Sequence, residues 1–212
     1  MGAVRTLDLY VVRHGLTKAN IEKRYIGHLD EPVMEERMEE MFELKKSLST
    51  VAFDACFTSD RRRCLQTLHY LRPDLQGWKD VRLREISFGK WEGKRHEDLV
   101  QDPSYQRWLK DWQNTGPDGG ERFPEFHDRV GVFLKEMVSS SYDQILLVTH
   151  GGVIRSLYQH LHPEASFWDI SPPHGKGCYF RVSKSEEGWS CTSWSEVPVQ
   201  ENENTSENTS LL

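Results

Sequence analysis

The sequence predicts a single three-layer α/β domain: a mostly parallel sheet with helices on both faces and a C-terminal antiparallel hairpin. Three observations carry this. Short continuous apolar runs alternate with longer runs of helical period, the pattern of parallel strands joined by covering helices. The chain has 212 residues, enough for one good core and too few for a second large one. Near the end, two strand-like runs flank a polar turn that finishes in glycine.

The first strand is expected over Leu7–Val12, where an apolar run stops abruptly at Arg13, His14 and Gly15. Met34, Met38, Met41, Phe42 and Leu48 then fall on one face of an expected helix, with the methionines as packing residues. A second strand, Ala55–Thr58, leads into a helix striped by Cys64, Leu65, Leu68 and Leu71. Val81–Leu83 is expected as a third, short strand. Phe126, Val130, Phe133, Leu134 and Met137 mark the next helix, and Ile145–Thr149 the fourth strand. Val153, Ile154, Leu157 and Leu161 stripe the helix after it. Tyr179–Ser183 and Ser190–Trp194 form the closing hairpin around Lys184-Ser185-Glu186-Glu187-Gly188. Residues 1–197 read as the domain. Residues 198–212, polar and without apolar periodicity, read as a disordered tail.

Composition narrows the partners. Twenty-seven Lys and Arg against 33 Asp and Glu give a formal net charge of -6, which argues against nucleic acid or a membrane surface. Cys56, Cys64, Cys178 and Cys191 show neither C-x-x-C nor zinc-finger spacing, and read as free thiols in a reducing compartment. No signal core and no run of spanning length is visible, so the expected location is the cytoplasm. Met1-Gly2-Ala3-Val4-Arg5-Thr6 fits the loose myristoylation pattern, a short match common by chance.

In open α/β sheets, ligands sit beyond the carboxyl ends of the strands. The expected strands are followed there by Arg13-His14-Gly15, by Thr58-Ser59-Asp60-Arg61-Arg62-Arg63, by Arg84-Glu85 and by His150-Gly151-Gly152. Two histidines, several arginines and one glutamate thus gather at one edge. Arginines present rigid forks of donors that suit phosphate oxygens. A neutral imidazole can attack phosphorus, and a second histidine, if protonated, can stabilise equatorial oxygen charge. A carboxylic acid can protonate the departing alkoxide and later activate water. No Gly-Lys-Ser/Thr loop, Gly-x-Ser-x-Gly elbow or His-Glu-x-x-His occurs. The expected chemistry is phosphoryl transfer without a metal.

At this point the residues resemble a known family. Arg13-His14-Gly15-Leu16-Thr17-Lys18-Ala19-Asn20 is similar to the R-H-G-x-T-x-x-N signature of the histidine phosphatase superfamily, in its phosphoglycerate-mutase-like branch. The resemblance runs on through Tyr25–Asp30, Thr58-Ser59 with Arg63, Leu83–Gly93, Gly119-Gly120-Glu121 and Thr149-His150-Gly151-Gly152, in the family's order. It covers roughly residues 7 to 184. It implies His14 as the nucleophile that forms a phosphohistidine, with Arg13, Arg63 and His150 completing the phosphate pocket and Glu85 as proton donor. It also implies Asn20, Thr17, Gly27 and Gly151 at the substrate. Leu83–Gly93 looks most like the α-ribazole phosphatase and broad-specificity phosphatase groups.

Three positions depart from the pattern. Pro32–Arg37 lacks the usual Thr cap and Gly at the start of the helix that follows. Cys64 replaces a common alanine. Arg122 replaces a Ser or Thr and is expected to alter the pocket rim.

Other residues carry plainer readings. His69, His96, His127, His160 and His162 are expected to be structural or solvated, Arg61 and Arg62 to form a solvated face, and Glu92 and Glu121 are weaker site candidates with surface or capping roles as the alternative. Glu85 has a competing reading as an arginine's ion-pair partner. Trp91, Trp108 and Trp112 fall in the family's substrate-covering segment, as packing or as grip on the leaving group, while His28 and His174 have no assignment. The resemblance implies a metal-independent hydrolase of a small-molecule phosphomonoester, with no cofactor, and two other functions compete with it. A phosphoglycerate mutase would use the same pocket, but the aromatic stretch Gly93–Glu121 does not resemble the mutases' segment. A non-catalytic phospho-ligand module would need neither nucleophile nor acid.

Overall fold

The computed structural model describes residues 5–185 and 188–198. The expected tail beyond Pro198, the Met1–Val4 end of the myristoylation match and the tip of the hairpin lie outside them.

The apolar run at the start forms β1 (Arg5–Arg13), followed by one short turn of helix, α1 (Lys18–Ile21). A 3-10 stretch over Glu35–Met41 leads into α2 (Phe42–Ser49). Then come β2 (Ala55–Thr58), α3 (Arg62–Leu71) and a two-residue strand β3 (Trp78–Lys79). Two short helices, α4 (His96–Leu99) and α5 (Pro103–Lys110), precede the long α6 (Phe123–Ser139). The chain ends with β4 (Gln144–Thr149), α7 (Gly151–Leu161) and the hairpin β5 (Gly177–Ser185) and β6 (Gly188–Val197).

The six strands make one sheet in the order β3-β2-β4-β1-β5-β6. The first four are mutually parallel, and β5 and β6 are antiparallel additions. Alternation along β1 and β4 sends Leu7, Leu9, Val11, Ile145 and Leu147 to one face, under α6 and α7. Val12, Leu146 and Val148 face the other way, under α2 and α3. Strands buried on both faces must be apolar at consecutive positions, which explains the continuous runs. The three layers and mixed sheet match the expectation.

Two elements differ from it. Val81–Leu83 is a 3-10 turn and not a strand. The Asp80 side chain caps it by accepting from the Arg82 N–H, Leu83 is fully buried, and Val81 is 59% exposed. Apolar–polar–apolar spacing thus imitated a strand, while the pairing partner of β2 is Trp78–Lys79 just upstream. The helix expected around Met34 to Leu48 begins without a side-chain cap at Met34, and its first turns are 3-10. Its buried face is Met41, Leu44 and Leu48, whereas Phe42 points out, 53% exposed. The missing Thr cap fits that weak start.

Candidate active site

Register brings the two motif histidines together. Arg13 of β1 pairs with Thr149 of β4, so the next residues, His14 and His150, leave the sheet side by side. The His14 N–H donates to the Thr149 carbonyl at 2.9 Å, and the two rings lie 5.2 Å apart. Both are buried. The His14 Nδ1–H donates to the Gly15 carbonyl at 2.7 Å, since a carbonyl only accepts. In the neutral ring, Nε2 therefore keeps its lone pair. The Gly15 N–H is held in turn by Thr67 Oγ1, 2.8 Å away on α3.

Burial pushes the His14 pKa well below the ordinary imidazole value, and Arg63 and His174 add to it. His150 is lowered for the same reasons, by burial first and then by Arg63 and His14. Both rings are thus neutral in the free protein, so the imidazolium role envisaged for His150 requires a bound anion to raise its pKa. Its Nε2 lies 2.9 Å from Ser59 Oγ, with Cys64 Sγ beside it at 3.5 Å.

Arg63, fully buried, donates from Nη1 to the Leu29 carbonyl and from Nη2 to the Gly27 carbonyl, both at 2.7 Å. Arg13 donates from Nη1 to the Pro172 carbonyl at 3.0 Å. Each guanidinium leaves its Nε buried with no partner among the described residues, and so does Nε2 of His174, whose ring is 5.3 Å from that of His14. Buried polar atoms are normally paired, so three unpaired nitrogens around one imidazole ask for an acceptor. Burial also lowers the pKa of both arginines, and Glu85 is a partial offset for each. The pocket carries more positive than negative charge.

Glu85 sits at the start of α7. Oε2 accepts from the Gly152 N–H and Oε1 from the Ile86 N–H, both at 2.9 Å. A Cβ at Gly152 would overlap Oε1, so glycine is what admits the carboxylate there. Backbone N–H groups, not an arginine, hold Glu85; its neighbour Arg84 turns away to Asp60.

The backbone under Glu85 is fixed from α6. Arg129 donates to the carbonyls of Arg82, Arg84 and Glu85 at 2.6, 2.8 and 3.0 Å, and is gripped by Glu121 at 2.6 and 2.8 Å. Glu121 is therefore neither a surface nor a capping group. Arg129 escaped the sequence reading, although it stands next to Val130 and three residues from Phe126, at the edge of the buried stripe. Arg129→Met is expected to cost about 2–4 kcal/mol of stability, since three carbonyls and one carboxylate lose their donor. Urea unfolding measures this, and an unchanged midpoint would show that the clamp stabilises nothing.

Glu92 acts similarly on the opposite wall, accepting from the N–H groups of Gly27, His28, Leu29 and Phe88 at 2.8–3.0 Å. It shapes the loop whose carbonyls seat Arg63. Gly27 spends its N–H on Glu92 and one lone pair of its carbonyl on Arg63, which leaves the second lone pair free to accept. Thr17 and Asn20 cap each other around α1: Thr17 N–H and Oγ1 both donate to Asn20 Oδ1, at 3.1 and 2.9 Å. Asn20 can offer a ligand only its amide nitrogen. Gly151 opens α7, and a Cβ there would stand 3.1 Å from Arg13 Cζ. Arg62 is exposed as expected, but the Arg61 side chain is 17% exposed, with its Nε 3.6 Å from Asp60 Oδ1. Arg122 caps α6 with Glu125 and does not line the pocket.

Beyond Glu85 opens a cavity of about 260 Å³, walled by Tyr25, Phe88, Trp108, Trp112, Phe123, Phe167 and Trp168. Arg155 lies in its wall, 4.7 Å over the Trp168 ring. Trp91, by contrast, is buried with Leu99 and Tyr105. Packing claims Trp91; Trp108 and Trp112 face the cavity. Among the described residues, no three His, Cys, Asp or Glu side chains are placed to hold a metal ion. None of the helices among them is long and apolar enough to cross a membrane.

A family model described as Histidine phosphatase superfamily (branch 1) matches residues 9–197. The chain is 33% identical to the adenosylcobalamin/alpha-ribazole phosphatase of Escherichia coli (strain K12), over 85% of this chain and 92% of that one. It is 29% identical to phosphoglycerate mutase-like protein 4 of Arabidopsis thaliana, over 74% and 72%. Among solved structures, the alpha-ribazole phosphatase of Shigella flexneri superposes with a TM-score of 0.79 at 30% identity, covering 87% of this chain and 94% of that one.

Proposed function

The chain belongs to the histidine phosphatase superfamily, branch 1, and on that premise we propose that it hydrolyses the phosphomonoester of an alcohol that carries an aromatic ring, through a phosphohistidine on His14. One observation carries the reading most. The unspent lone pair of His14 Nε2 lies among unpartnered buried donors of Arg13 and Arg63, and a carboxylate stands between this cluster and an aromatic cavity.

His14 Nε2 attacks phosphorus as the ester oxygen departs on the opposite side. Arg13, Arg63, His150 and the Gly151 N–H at the start of α7 meet the equatorial oxygens. Glu85 delivers a proton to the leaving oxygen, which becomes a hydroxyl in the aromatic cavity. Water then enters, Glu85 takes its proton, and hydroxide attack on phosphorus frees His14 and inorganic phosphate. The arginines supply the positive charge that a metal would otherwise bring, so the reaction is metal-independent. Flat apolar walls favour a planar ring. An α-ribazole-like phosphate fits that chemistry, as the names of the relatives suggest.

The test is a panel of phosphomonoesters assayed in excess chelator: benzimidazole and purine nucleoside phosphates, small alkyl phosphates and phosphoglycerate. Hydrolysis of the aromatic members at undiminished rate is expected. Loss in chelator with recovery on added magnesium or zinc would overturn the mechanism. Isomerisation of phosphoglycerate in place of hydrolysis would overturn the phosphatase reading.

A further inference from the structure

His174 belongs to no expected motif, yet the fold aims it at the nucleophile. It lies in the turn before β5, and that turn is tied to the end of β1 from several sides. The Gly175 N–H donates to the carbonyls of Arg13 and His14 at 3.1 and 3.2 Å, and the Arg13 N–H donates to the Lys176 carbonyl at 2.8 Å. The Arg13 side chain adds its bond to the Pro172 carbonyl. Gly175 has φ +70, and a Cβ there would run into Met41, so the turn that orients His174 depends on glycine.

The ring that results is 5.3 Å from His14, inclined by 57°. Its Nε2 is buried with no partner among the described residues. Burial, then Arg13 and Arg63, push its pKa down to about 3, so the imidazole is neutral and has one N–H to offer. A phosphoryl oxygen only accepts, and it would gain the donor that the surrounding protein leaves unused.

We propose that His174 is a further residue of the phosphate pocket, its Nε2–H donating to a non-bridging oxygen of the phosphoryl group that His14 accepts and releases. This rests on phosphoryl transfer at His14. It makes the pocket a three-histidine site, with the third imidazole contributed by the turn that leads into the antiparallel part of the sheet.

The experiment combines inorganic phosphate as the binding probe with nitrophenyl phosphate in first-turnover kinetics, comparing wild type, His174→Gln and His174→Leu. A hydrogen bond to a charged acceptor corresponds to about 10–100-fold, so His174→Leu should weaken phosphate binding and slow phosphorylation by that factor. His174→Gln, which restores a donor, should recover part of the loss; equal defects in both would point to packing alone and overturn the proposal. In the wild type labelled with nitrogen-15, the His174 Nε2 resonance should shift on adding phosphate. An unmoved resonance would overturn the proposal even if the variants fail to fold. A wild type that binds phosphate with the His174 shift but forms no phosphohistidine would reject the function proposed above and leave this contact standing.

Discussion

His14→Ala is expected to remove turnover, by about 10⁵–10⁶-fold, the scale on which covalent hydrolases suffer when the nucleophile is deleted. The fold should survive. His14 contributes one side-chain hydrogen bond, to the Gly15 carbonyl, and the two apolar clusters on either side of the sheet do not include it. Loss of such a bond costs about 1 kcal/mol. Near-native thermal unfolding together with absent activity is therefore the expected pair of results. In the wild type, rapid quenching during turnover should trap label on an acid-labile, base-stable phosphoramidate, and in the variant none. Label on serine, cysteine or aspartate would remove His14 from the mechanism.

Glu85→Gln is expected to separate poor leaving groups from good ones. General acid catalysis contributes about 10²–10⁴-fold where a basic alkoxide must depart, and little where a nitrophenolate leaves with its charge delocalised. The structure adds a complication. Both carboxylate oxygens accept backbone N–H groups, from Ile86 and Gly152, so the glutamine amide must turn its NH₂ toward one of them. Some displacement of the side chain follows, and it slows every substrate alike. The informative quantity is thus the ratio of the two losses. Breakdown of the phosphoenzyme also slows if Glu85 activates water, which makes the first turnover, followed by rapid quench or stopped flow, the proper measurement. Phosphorylation of His14 by an alkyl phosphate should fall far more than phosphorylation by nitrophenyl phosphate. Equal losses would reduce Glu85 to a positioning group and require another proton donor.

The amino-acid sequence alone determined the layers and the centre of the site. Strands buried on both faces have to be continuously apolar, and helices covering them have to carry apolar stripes, so β1, β2, β4, α3, α6 and α7 are written in local patterns. Because parallel strands deliver the residues that follow them to one edge, Arg13, His14, Arg63 and His150 could be read as neighbours before any distance was known, whereas Glu85 was placed with them through a strand that is in fact a 3-10 turn. The edge strand was not readable in this way. Val81–Leu83 has strand-like spacing, but the Asp80 cap and the burial of Leu83 decide for a 3-10 turn, and the pairing falls to Trp78 and Lys79.

Tertiary structure alone decided which polar residues serve the site from a distance. Arg129 reaches back 44 to 47 positions to the 82–85 carbonyls, Glu92 reaches 63 to 65 to the loop that seats Arg63, and His174 meets His14 through a turn anchored on β1. It also separated Trp91, in the core, from Trp108 and Trp112, on the cavity wall. The physical reason is that periodicity reports only which face of its own element a side chain occupies. Which donor meets which carbonyl across the fold depends on how elements far apart in sequence pack, and that is set by three-dimensional shape.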